Sequence, residues 1–163
     1  CVEYGIHFYF GGHPAITPLV WQVARQKLNG ANPLVDIYQS KIFGDKIPKE
    51  VSDFRNVHFT EIVNDKISDS VLAMVKKVLA MREQMFCENP TECAIFIGGM
   101  NGILDEYNML KSIYPNAKYY AFASTGGASE ELYHKIGVKN ELLEHSYAYT
   151  SIFRELLLPY KTV

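Results

Sequence analysis

The sequence predicts an α/β fold in which an open parallel sheet carries helices on both of its faces. Short apolar runs of the length of buried strands alternate with segments whose apolar residues recur at helical spacing, and this alternation is typical of parallel sheets. Glycine groups lie at the ends of three of the apolar runs. Gly11-Gly12 and Gly98-Gly99, with Gly102 nearby, follow their runs directly, and Gly126-Gly127 begins three residues after the last run.

Local signals define the elements of the first half. Ile6 to Phe10 is an apolar and aromatic run that ends at two glycines, so it predicts a strand. Thr17-Pro18 is typical of a helix start and Asn29-Gly30 of a helix end, which together predict a helix over 17–28. Two further strands are predicted at residues 34–39 and 57–63.

The second half repeats the alternation. A long helix is predicted from Asp65 or Ser68 to about Cys87, because apolar residues form a stripe of period 3.6 at Ile67, Val71, Met74, Val75, Val78, Met85 and Phe86. Strands are predicted at 94–97 and 119–123, and helices at 103–113, 129–135 and 147–158. The last helix is apolar enough to serve as core, as a homodimer surface, or as both.

Composition excludes several classes of protein. A length of 163 residues fits a single domain spanning 1–163, and 48% hydrophobic with 13% aromatic residues excludes a disordered chain. Sixteen basic residues face 18 acidic ones, which argues against a nucleic-acid-binding domain. No apolar stretch approaches the roughly 18 residues of a membrane span, so we expect no membrane contact.

The three glycine groups predict a ligand site. In a parallel sheet the loops after the strands share the edge at which open α/β sheets bind ligands, and the following helix N-termini favour phosphate. Glycine there permits positive φ and a close approach to the backbone. The alternative is tight turns without a ligand. Neither GxGxxG nor GxxxxGK[ST] is present, so neither an ordinary dinucleotide site nor a P-loop is expected.

Two charged residues stand at unexpected places. Arg82 falls inside the apolar stripe of the long helix, where a charge needs a partner. It either snorkels or pairs with a structural carboxylate, or it is aimed at a ligand phosphate or a site carboxylate.

Glu106 follows Gly98-Gly99 near the start of a helix. It either complements the helix dipole, or binds a ribose hydroxyl or acts in acid–base chemistry. His13 likewise admits a packing or a ligand role.

The cysteines and the first residue bear on context. Cys1, Cys87 and Cys93 are odd in number and lack CxxC spacing, which favours reduced thiols in a cytoplasmic protein. No His, Cys, Asp and Glu cluster suggests a metal, and no cofactor is expected. The chain begins at Cys1 rather than at Met, so we expect a removed leader or, in preference, a fragment of a longer chain.

Four sequence blocks together resemble the SLOG superfamily, which joins LOG enzymes, the DNA-processing protein DprA and sensor domains of bacterial defence proteins. The blocks are Phe10 to Pro14, Met81 to Met85, Phe96 to Gly102 with Asp105-Glu106, and Ala123 to Ala128. The closest resemblance is to SLOG domains beside TIR or sirtuin-type domains, as in Thoeris-like antiphage systems. It implies a Rossmann-like fold that binds a cyclic ADP-ribose or another NAD-derived signal.

The same resemblance implies a second possibility. LOG enzymes cleave the N-glycosidic bond of nucleoside monophosphates with the motif PGGxGTxxE and an arginine on the preceding helix, which Glu106 and Arg82 match. Ile97 replaces the proline, Met100-Asn101 adds one residue between the glycines, and Ile103 replaces the threonine. These departures weigh against phosphate binding of the LOG type.

The leading hypothesis is therefore a sensor domain whose ligand shifts an oligomer equilibrium and controls a covalently linked effector. The alternative is a phosphoribohydrolase with Arg82 and Glu106 as catalytic residues. Predicted ligand contacts are Gly11, Gly12, His13, Gln39, Ser40, Arg82, Gly98, Gly99, Met100, Asn101, Gly102, Glu106, Ser124, Thr125, Gly126 and Gly127. A plain interaction module is the third hypothesis.

Overall fold

The computed structural model describes residues 1, 4–28, 34–60 and 70–161. Strands β1 to β5 span Phe8–Phe10, Val35–Ser40, Asn56–Thr60, Cys93–Ile97 and Lys118–Phe122. Helices α1 to α6 span Thr17–Leu28, Ser70–Glu88, Gly102–Ile113, Ala128–Ile136, Glu141–His145 and Tyr149–Leu157. The predicted helix end at Asn29-Gly30, the strand residues 61–63 and the helix start at Asp65 or Ser68 lie outside the described residues.

The chain divides into two compact units. The first comprises Cys1–Glu88 with Tyr160–Val163, and the second comprises Asn89–Pro159. In the first unit the strands pair in parallel in the order β1-β2-β3. All six residues of the central strand β2 are buried, as expected for a strand covered on both faces.

One face of this sheet packs on α1. Ala24 of α1 joins Val35, Ile37 and Phe54 in a buried cluster, and Trp21 packs against its margin. Because side chains alternate along a strand, the neighbouring residues Asp36 and Tyr38 belong to the opposite face. That face lies beneath α2, which contacts both β2 and β3.

The apolar stripe of α2 is only partly buried. Met85 and Phe86 are buried, but Val71, Met74 and Val75 are exposed, so the prediction of a buried stripe is wrong for the first half of the helix. The reason is length. Nineteen helical residues extend about 28 Å, whereas the five residues of β3 extend about 17 Å. Periodicity predicts which face of a helix is apolar, but it does not predict how much of that face is buried by neighbouring elements.

The second unit is a parallel pair of strands, with Ala94 opposite Tyr119 and Phe96 opposite Ala121. On one face Tyr107 of α3 makes edge-on contacts with Phe96 and Tyr119. On the other face Phe153 of α6 stacks on Phe122 with ring centroids 5.0 Å apart. Helices thus cover both faces here as well.

The predicted α/β class with parallel strands and flanking helices is confirmed. The short helix α5 was not predicted, because its five residues are too few for a periodic pattern, although the Asn140 side chain caps it. The core role of the last helix is confirmed at Ile152 and Leu157, both buried, whereas Tyr147 is exposed. None of the helices in the described ranges is both long and apolar enough to cross a membrane.

Candidate functional site

Gly11-Gly12 directly follows β1, as predicted. Gln39 is 3% exposed, and its Nε2 donates a hydrogen bond to the carbonyl oxygen of Gly12. Gly12 has φ +39°, a conformation that favours glycine. The Gln39 side chain thus holds the first glycine loop, and its predicted contact with a ligand stays a prediction.

The backbone carbonyl of His13 accepts hydrogen bonds at the start of helix α1. Its carbonyl oxygen accepts from the amides of Ile16 and Thr17 at 2.9 Å each and from Thr17 Oγ1 at 3.0 Å. The exposed ring accepts from the Ala15 amide through Nδ1 at 3.2 Å. The structure therefore gives His13 a local structural role beside the predicted one.

Arg82 is half-buried on α2. It lies on the face shared by Met85 and Phe86, both buried, so the placement of this charge on the packed side of the helix is confirmed. The preceding residue Met81 reaches the first glycine loop, since a Cβ at Gly11 would lie 3.3 Å from Met81 Cε. Ser40 at the end of β2 is 2% exposed.

Beneath α2 lies a polar network that the sequence did not predict. Asp36 is flanked by two imidazoles, since His7 Nε2 contacts its Oδ2 and His58 Nε2 lies 2.6 Å from its Oδ1. The ring of Tyr38 stacks on His58. Only strand register brings His7, Asp36 and His58 together, so no local spacing signals them. Among the described residues, no group of three or more His, Cys, Asp or Glu is arranged for a metal ion.

Glu88 at the end of α2 belongs to this network. Gln84 Nε2 donates to its Oε1 at 3.0 Å and Tyr38 Oη to its Oε2 at 2.8 Å. The hydrogen bond from Gln84, then that from Tyr38, and nearby His58 lower the pKa of Glu88, against burial and Asp36. Because the unfolded chain binds more protons in acid, ionised Glu88 stabilises the fold above its ordinary pKa. That stabilisation is lost as the pH falls through the lowered value.

Tyr38→Phe is therefore expected to raise the pKa of Glu88 toward its ordinary value and to make the acid limb of the stability curve shallower. A carboxyl NMR titration of Glu88 measures the first effect and urea unfolding at several pH values the second. Tyr147→Phe is the matched control, because Tyr147 is 75% exposed. An equal Glu88 titration in both variants would contradict the assignment of the shift.

In the second unit the loops after β4 and β5 are joined. Thr125 Oγ1 accepts from the Gly98 amide at 2.8 Å and donates to the Phe122 carbonyl at 2.6 Å. The first amides of α4 donate to the same loop, Ser129 to the Gly98 carbonyl at 3.0 Å and Ala128 to the Gly99 carbonyl at 3.1 Å. These bonds occupy the N-terminal amides of α4 that an anion would otherwise use.

The loop before α3 differs from the start of α4 in the hydrogen bonding of its amides. Within the described ranges, the amides of Gly99, Met100, Asn101 and Gly102 donate to no protein acceptor. Gly99, Met100 and Asn101 are exposed, and Met100 is 84% exposed. Backbone amides without a protein acceptor at the start of a 12-residue helix are the groups that commonly bind anions.

Two residues of α3 that bear on the predicted site follow this loop in the chain. Ile103 packs against Gly99, where a Cβ would lie 2.6 Å from Ile103 Cγ1. Glu106 is half-buried in the second turn of α3. Arg82 and Glu106 belong to different units, and their meeting over one ligand stays a prediction.

Two serines carry unsatisfied hydroxyl groups. In the described part of the chain, Ser124 Oγ and Ser129 Oγ are buried without a hydrogen-bond partner. Ser124 was predicted as a ligand contact and Ser129 was not. A serine in the first turn of a helix, next to Gly126-Gly127, was the available signal for Ser129.

A model of the SLOG cluster3 family matches residues 4–157 of the chain. No curated protein and no solved structure matches it significantly. The match extends over most of both compact units and includes all four blocks that carry the resemblance.

Proposed function

Because the chain belongs to the SLOG cluster3 family, and therefore to the SLOG superfamily, we propose that it is a sensor domain that binds a nucleotide-derived ligand by its phosphate groups. The single observation that carries the proposal is the run of amides from Gly99 to Gly102 that have no acceptor within the described ranges. An anion satisfies such amides and interacts favourably with the positive end of α3.

The ligand we propose is a cyclic ADP-ribose or a related NAD-derived molecule. Its phosphates would lie on the amides of the Gly98–Gly102 loop, and Glu106 would accept a hydrogen bond from a ribose hydroxyl. Arg82 belongs to the first unit, and its contact with the ligand stays a prediction. Asp105 in the first turn of α3 opposes an anion, but its side chain is exposed, so the surrounding water weakens the repulsion.

The packing of Ile103 favours a sensor over a hydrolase of the LOG type. The LOG motif has threonine at this position, whereas here an isoleucine side chain fills the space beside Gly99. It supplies no hydroxyl to a phosphate. The hydrolase remains the second candidate because Arg82 and Glu106 match the LOG pattern.

Ligand binding tests the proposal through melting temperature. A ligand that binds only the folded state raises the melting temperature, by an amount that grows with the logarithm of ligand concentration over Kd once the ligand is in excess. We expect cyclic ADP-ribose, ADP-ribose or NAD to raise the melting temperature by several degrees, and Glu106→Gln to weaken the effect. Glu155→Gln is the matched control, because Glu155 is exposed on α6. An unchanged melting temperature with all three ligands would contradict the proposal.

Hydrolysis is measured on the same protein. Incubation with AMP is expected to release no adenine and no ribose 5-phosphate. Release that disappears in Glu106→Gln would establish the hydrolase instead.

We further propose that the ligand shifts an oligomer equilibrium and so controls a linked effector. A ligand does this only if it binds one state more tightly than the other. Light scattering with and without ligand is expected to give different masses. Equal masses would contradict control through a change of oligomeric state.

A further inference from the structure

We infer that Thr125 and the first turn of α4 are positioning elements, which hold the Gly98-Gly99 backbone with its amides turned outward for a phosphate. The inference rests on the proposed function, since it concerns the same loop. It assigns Thr125 a role through the backbone rather than a direct contact with the ligand.

The first step is the geometry of the peptide group. In a planar trans peptide the carbonyl and the N–H point in opposite directions. The Gly98 carbonyl belongs to the peptide that carries the Gly99 amide, and the Gly99 carbonyl to the one that carries the Met100 amide. Both carbonyls accept hydrogen bonds from α4, at 3.0 and 3.1 Å. The amides of Gly99 and Met100 therefore point away from α4, side by side.

The second step is the backbone conformation. In an extended strand successive carbonyls alternate in direction, so two consecutive carbonyls reach one helix end only if the chain turns between them. Gly98 has φ +57° and Gly99 has φ +79°, values that residues other than glycine rarely adopt. The glycines allow this turn, and the bonds to Thr125 and α4 select it among the many that glycine can adopt.

The third step is electrostatic. The N-terminus of α4 carries positive partial charge, and its amides donate to the two glycine carbonyls. A peptide whose carbonyl accepts a hydrogen bond is polarised, so that its N–H becomes a better donor. The positive end of α4 thus strengthens the amides of Gly99 and Met100, although its own amides are occupied.

Thr125 holds this arrangement from the other side. Its Oγ1 accepts from the Gly98 amide and donates to the Phe122 carbonyl, so both functions of the hydroxyl are used. Valine has the same shape without the hydroxyl and would leave the Gly98 amide without this acceptor. Serine keeps the hydroxyl and loses only a methyl group.

The test compares Thr125→Val with Thr125→Ser in the whole 163-residue chain. Without ligand, hydrogen exchange at the Ala128 and Ser129 amides reports the contact with the glycine loop. With ADP-ribose and, separately, inorganic pyrophosphate as probes, titration gives Kd. We expect Thr125→Val to accelerate the exchange and to weaken binding of at least one probe about tenfold, whereas Thr125→Ser stays close to the wild type.

Gly137→Ala controls for a general loss of stability. Gly137 has φ +74° at the far end of α4, so alanine there strains the same helix away from the loop. It is expected to lower the melting temperature without changing Kd. Faster exchange with an unchanged Kd in Thr125→Val would overturn the inference and leave the proposed function intact. A wild-type chain that binds neither probe nor cyclic ADP-ribose would overturn both.

Discussion

Replacing Gly12 by alanine is expected to lower the free energy of unfolding of the first unit by about 2–5 kcal/mol. Gly12 has φ +39°, which costs an L-residue roughly 1–2 kcal/mol. The new Cβ would also lie 2.8 Å from Ile37 Cγ2 and from Gln39 Cδ. Both residues belong to a strand that is buried throughout, so the collision adds roughly 1–3 kcal/mol.

Urea unfolding followed by the fluorescence of Trp21 measures this loss. Trp21 is the only tryptophan in the chain and packs against the core of the first unit. Gly11→Ala is the matched control at the adjacent residue. Its Cβ would meet only Met81 Cε at 3.3 Å, and a methionine end adapts readily. Equal destabilisation by the two variants would show that the contact of Gly12 with β2 does not limit stability.

The sequence predicted the fold because the relevant signals are local. An apolar run followed at once by Gly11-Gly12 or by Gly98-Gly99 marks the end of a strand within a few residues. The predicted strand at 94–97 and the observed Cys93–Ile97 differ by one residue for this reason. The exposed Val71 shows the limit, because the elements that cover a helix are not part of its own sequence pattern.

The hydrogen bonds of the predicted site residues could not be predicted from the sequence. Gln39 and Thr125 were placed beside the glycine loops because each lies near the end of a strand. That Gln39 donates to the Gly12 carbonyl and Thr125 accepts from the Gly98 amide depends on side-chain direction and on positive φ values. The spacing of residues in the sequence predicts neither of these. The two imidazoles on Asp36 lie still further from local signals, since 29 and 22 residues separate them from it in sequence.

Replacing Gly127 by alanine is expected to weaken phosphate binding at the Gly98–Gly102 loop by more than tenfold. A Cβ at Gly127 would lie 2.6 Å from the Gly99 carbonyl oxygen and 3.3 Å from the Gly98 carbonyl carbon. These are backbone atoms of the loop that α4 holds in place, so they cannot move without breaking the bond from the Ala128 amide. The Met100 amide, which shares a peptide with the Gly99 carbonyl, would turn with it.

Gly126→Ala separates this collision from backbone strain. Gly126 has φ +67° and ψ −163°, and Gly127 has φ +64° and ψ −151°, so alanine is strained by a similar amount at both, of order 1–3 kcal/mol. A Cβ at Gly126, however, would meet nothing within 4 Å. The two variants should therefore lose similar stability in thermal unfolding, while Gly127→Ala loses far more affinity for ADP-ribose and pyrophosphate in titration. Equal affinities in the two variants would mean that the carbonyl of Gly99 can shift without disturbing the amides that face the ligand.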